Sequence, residues 1–152
     1  MAHTNRPSLQ AVIMVVALLA TGSTFHSNAK EPPKRTVLQN MMRQLGHDMQ
    51  AATGAISRED WPAVVGLAPN IANHPQPSLS EKMRIFAWLG TDAARFREFD
   101  AAVHKAAVSM GEAAERGDGQ AVIHEFSLIQ QSCLACHRRF RNSFREHFYE
   151  ER

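Results

Sequence analysis

The chain has 152 residues, with 17 basic and 15 acidic side chains, 8 histidines and 2 cysteines. That length bounds the fold to a single domain around one core. The near-balance of charge, without a basic tract, argues against nucleic acid or an anionic membrane surface as the partner.

Residues 1–29 read as an export signal peptide. Arg6 gives a short positive start, Ala11 to Ala20 (AVIMVVALLA) is an unbroken apolar run, and Ser27-Asn28-Ala29 offers the small residues a signal peptidase recognises. The run falls short of the roughly 20 residues needed to span a bilayer, although an uncleaved N-terminal anchor is the competing reading. Cleavage after Ala29 leaves a domain of residues 30–152. Without Arg6 this domain has 16 basic side chains against 15 acidic, nearly neutral.

Pro32-Pro33 marks an extended leader. Helical periodicity then starts. Val37, Leu38, Met41, Met42, Leu45, Met49 and Ala52 recur at threes and fours and predict a helix over about 35–56. Ser57 with Asp60 three residues on resembles a capping box, and Pro62 suits a first helical turn. Val64, Val65, Leu67, Ala68 and Ile71 predict a second helix to about Asn73, with a disturbance expected at Pro69, and His74-Pro75-Gln76-Pro77 stops it. Ser78 or Ser80 caps a short helix carrying Met83, Ile85, Phe86 and Leu89, which Gly90 breaks. From Thr91 onward, Phe96, Phe99, Val103, Ala106 and Met110 step by 3, 4, 3 and 4, and this helix ends near Arg116-Gly117. Asp118 caps the last helix, in which Val122, Phe126, Ile129, Cys133, Cys136, Phe140 and Phe144 form one seam. No segment alternates like a strand. The expected fold is all-α, an antiparallel four-helix bundle able to house a cofactor between facing helices.

Both cysteines lie in Cys133-Leu134-Ala135-Cys136-His137, the Cys-x-x-Cys-His pattern of covalent c-type haem attachment. On a helix, positions 133, 136 and 137 share one face, so two sulfurs reach the vinyl groups of one porphyrin while the imidazole points at its iron. A thioredoxin-like pair needs a strand-to-helix context that is absent, and structural zinc needs four ligands where one pair exists. A disulfide at this spacing would strain the helix and leave the histidine unexplained. Haem is attached to thiols outside the cytoplasm, so motif and signal peptide together point to a bacterial periplasm.

An export signal, three helices and a haem motif in the last helix together resemble the class II c-type cytochromes, the cytochrome c′ group and its low-spin relatives. The resemblance rests on Cys133-x-x-Cys136-His137, on Arg138-Arg139-Phe140-Arg141 after it, and on the methionine-rich first helix. It implies one covalent haem c, His137 as the proximal iron ligand, and Arg141 as a basic residue near the proximal histidine or a propionate. It also implies two outcomes at the sixth iron position: an apolar residue that leaves iron five-coordinate, or a methionine sulfur.

Met41, Met42 and Met49 offer sulfurs on the first helix. The stretch is similar to the first helix of the periplasmic four-helix b-type cytochrome, whose ligand methionine precedes apolar residues at +3 and +7. Met42 has Leu45 and Met49 at those offsets and is the first choice for the distal ligand. Met41, about 100° round the helix, is the second, and His47 is a weaker alternative. Core filling remains the structural reading of all three methionines. Where many relatives carry a basic residue one turn earlier, this chain has Leu38, which weighs against gas binding.

The expected function is therefore a periplasmic one-electron carrier with His137/Met42 ligation, working with redox partner proteins. The alternative is a five-coordinate haem that binds NO or CO. No acid/base or nucleophile constellation accompanies the motif, so no enzymatic activity is expected. Related bundles pair through their first two helices, and Val64, Val65 and Ile71 serve either such a homodimer interface or the chain's own core.

Overall fold

The computed structural model describes residues 36–149. The signal peptide expected over 1–29 lies outside them.

Helix α1 (Val37–Ser57) starts at a reciprocal capping box. The Thr36 hydroxyl accepts from the Gln39 backbone N–H at 3.2 Å, and the Gln39 side chain accepts from the Thr36 N–H at 3.1 Å. Glu81, from a later helix, accepts from the N–H groups of Val37 and Leu38 at 3.2 and 2.9 Å, placing negative charge where the helix dipole favours it. The C-terminus of α1 closes in a Schellman turn. Glu59 has φ of 54°, and the Asp60 and Glu59 N–H groups return to the Ala55 and Ile56 carbonyls.

The capping box expected between Ser57 and Asp60 does not form. Ser57 ends α1 and donates to the Thr53 carbonyl, while Asp60 itself caps α2 (Trp61–Ala72) by accepting from the Ala63 N–H. The short linker leaves room for only one cap, and Asp60 is the residue adjoining the new helix. The disturbance expected at Pro69 does not end the helix. The helix runs through it, and the Pro69 carbonyl accepts from the Asn73 N–H at 2.8 Å.

Helix α3 (Leu79–Leu89) is capped by Ser78 and lies in the crossing between α2 and α4 (Ala93–Glu115). A Schellman turn at Gly117, φ 68°, leads into α5 (Gly119–Cys136), capped by Asp118. The last helix then widens into a π-helical turn over His137–Arg141 before α6 (Asn142–Phe148). The described residues thus form a four-helix bundle of α1, α2, α4 and α5 with its continuation α6.

Two clusters make up the core. One is rich in alanine, with Ala52, Ala55, Ala68, Ala106, Ala107, Ala113 and Ala114 around Val64, Ile71, Met110, Val122 and Ile129. Small side chains let these helices approach closely, and a Cβ on Gly111 would sit 2.9 Å from that of Ala68. The other cluster joins Leu38, Met41, Ile85, Leu89, Phe140 and Phe144, with Trp88 edge-on to Phe144 at 5.3 Å. Helix α4 packs along α2 and α5, and α2 along α1, but α1 and α5 touch only sparsely. The functional cavity is lined from both of those helices.

Candidate functional site

The cavity measures about 630 Å³, well within the range of cofactor sites. From α1 it is lined by Leu38, Met41, Met42, Leu45, Gly46 and Met49. Helices α3 and α4 contribute Ile85, Phe86, Phe96, Phe99 and Val103, and the end of α5 contributes Ile129, Cys133, Leu134 and Cys136 with His137 beyond it. The wall is mainly apolar. Gly46 adds to its width, because a Cβ there would meet no atom within 4 Å.

The sequence-derived site residues therefore converge, with the cysteines and His137 on one side and the methionine face of α1 on the other. Cys133 and Cys136 are half-buried free thiols one helical turn apart. Burial raises both pKa values. For Cys136 it is joined by Cys133 and Asp100, and together they push the thiol up to about 11. Protonated thiols carry both the sulfur and the hydrogen that addition to a vinyl group uses.

His137 presents surface to the cavity, yet desolvation by the surrounding protein lowers its pKa, followed by the nearby Arg141 guanidinium. Both effects favour the neutral imidazole, whose free lone pair is what a metal ligand needs. His137 also opens the π-helical turn, a deformation often found at functional positions. Arg141 is exposed, close enough to His137 to act on it electrostatically, and does not line the cavity.

The two leading methionines differ in environment. Met41 is 6% exposed and belongs to the second core cluster, whereas Met42 is 40% exposed and lines the cavity without joining either cluster. Met49 is half-buried against the alanine-rich cluster. His47 is exposed and does not line the cavity. Val64 and Ile71 are buried in the chain's own core, which removes them from any surface for pairing with a second copy.

Polar groups that the sequence alone did not single out complete the wall: His74, Gln76, Lys82, Arg97, Asp100 and Gln130. They come from separate segments, and only the fold assembles them. The π-helical turn had no signal in composition either. The box at Thr36 did, because Thr-x-x-Gln ahead of an apolar run is the capping pattern.

These features fit a covalently held haem: an apolar cavity of suitable size, two thiols and a neutral imidazole on one helical face, and thioethers across from them. Comparison with known families gives a match over residues 35–141 to the family described as Cytochrome C′. No curated protein and no solved structure matches the chain.

Proposed function

This chain belongs to the cytochrome c′ family, and we propose that within it the protein is a periplasmic one-electron carrier with low-spin haem c, ligated by His137 and Met42. Cys133 and Cys136 would form the thioethers. Bound there, the iron would supply a one-electron redox couple, whose potential ligation by the Met42 thioether together with the His137 imidazole would raise.

The observation that supports Met42 is the contrast with Met41. Both line the cavity, but Met41 is buried in the core cluster of Leu38, Ile85 and Phe140, so recruiting its thioether would take it out of that packing, whereas Met42 belongs to neither cluster. With His137 and Met42 both holding the iron, no site for a substrate would remain, and little rearrangement of these side chains would accompany electron transfer. Desolvation first, and the Arg141 guanidinium second, favour a neutral His137, and Arg141 would support the proximal side in that way. Lys82 and Arg97 in the cavity wall suit the propionates, because both present cationic donors to carboxylates.

Export through residues 1–29 belongs to the same reading, and the mass of the mature haemoprotein tests it. Among the described residues no helix is long and apolar enough to cross a membrane.

The experiment is a pair of substitutions. Met42→Ala converts the low-spin spectrum to high-spin and lets the ferrous protein bind CO rapidly, whereas Met41→Ala keeps the low-spin spectrum and lowers stability. The reverse pattern assigns the ligand to Met41. The five-coordinate alternative draws on the apolar Leu45 in the same wall, and rapid CO binding by the wild-type ferrous protein selects it.

A further inference from the structure

We propose that His74, held against Asp100 in the wall of the haem cavity, is a redox-linked proton-binding site, so that reduction of the iron draws a proton onto His74. His74 follows α2 in a segment stiffened by Pro75 and Pro77, and is 9% exposed. Its Nε2 lies 3.0 Å from Asp100 Oδ1, and its Nδ1 lies 3.4 Å from the Pro75 carbonyl oxygen. Both ring nitrogens thus face acceptors, and only the imidazolium donates from both. The Asp100 side chain is 51% exposed and gives the buried ring a path to water.

Both residues line the cavity that also holds Cys136 and His137, and Asp100 is close enough to act on the Cys136 thiol. An electron added to iron in this apolar space removes one unit of positive charge, and the field at His74 then favours the imidazolium. The step balances simply. A one-electron reductant supplies the electron to iron, water supplies the proton to the ring by way of Asp100, and no haem bond forms or breaks.

Other charges face the same ring or cavity. Arg97 and Asp100 come from α4, Lys82 from α3, and His137 from the end of α5. His104 of α4 points its Nδ1 at the Ala72 carbonyl at 3.0 Å, where α2 ends. The hydrogen bond to Asp100 is the main reason that the His74 pKa lies above its ordinary value, against the opposing effect of burial.

The inference rests on haem being held in this cavity, and is independent of whether Met42 is the sixth ligand. The test is potentiometric titration of the holoprotein between about pH 5 and 9, the range in which a histidine exchanges its proton. The wild-type midpoint potential falls with rising pH, with a slope of at most about 59 mV per pH unit, the limit for one proton per electron. His74→Gln abolishes that slope, and Asp100→Asn moves it to lower pH. A flat wild-type profile, or an undiminished slope in His74→Gln, overturns the proposal; the latter assigns the proton to a propionate. If His74→Gln fails to accumulate, an unmoved profile in Asp100→Asn overturns it. Failure of the haem assignment is separately visible, because no haem redox wave appears at all.

Discussion

His74 couples stability to pH through one side chain. Its pKa in the fold lies above the ordinary 6.5, chiefly through the hydrogen bond to Asp100, so the folded chain holds the proton more tightly than the unfolded chain. The resulting stabilisation is complete below about pH 6.5 and is lost as pH rises through the folded-state value. His74→Gln therefore lowers the thermal midpoint more at about pH 5.5 than at about pH 8; an equal loss at both pH values would contradict this. The role was hidden in the sequence, where His74 is only a loop histidine before a proline and Asp100 stands 26 residues away. The motif is the opposite case. Cys133, Cys136 and His137 are adjacent in sequence, so the helix repeat alone predicts their common face. The methionines lie between these extremes, since spacing narrows the choice to Met42 or Met41, and the fold adds only that the two differ in burial.

Helices were legible wherever their apolar positions repeat. The 96, 99, 103, 106, 110 series lies on the inner face of α4, and Val103, Ala106 and Met110 are buried. Ends were less legible, because caps depend on single hydrogen bonds. Two turns of the same type show the consequence. The one after α4 uses Gly117 at φ 68°, whereas the one after α1 uses Glu59 at φ 54°. A left-handed conformation costs an L-residue about 1–2 kcal/mol, partly offset by the greater unfolded-state freedom of glycine. Glu59→Gly should stabilise the protein by about 1 kcal/mol, read as a higher denaturant midpoint; a lower midpoint would show that the Glu59 side chain contributes more than its backbone costs. The π-helical turn at His137–Arg141 escaped the sequence because a one-residue widening leaves the apolar seam intact, with Phe140 and Phe144 still buried.

In the whole molecule, the cavity lies between the alanine-rich cluster and the aromatic one, and takes wall residues from both, including Ile71, Val103 and Ile129 from the first and Leu38, Met41 and Ile85 from the second. A haem bonded to Cys133, which packs on the first, and Cys136, which packs on the second, would join them into one core. The Cys133→Ala/Cys136→Ala double variant should accordingly keep amide protection in the alanine-rich part of α4 and lose it across α3 and α6, as hydrogen exchange would report. Uniform loss, or none, would contradict a two-part core. The central claim, a closed His137/Met42 iron in an electron carrier, is tested most directly by the visible and near-infrared spectrum of the oxidised wild-type protein. A low-spin spectrum with the weak near-infrared band of an iron–thioether bond is the expected result; a high-spin spectrum in both redox states would contradict it.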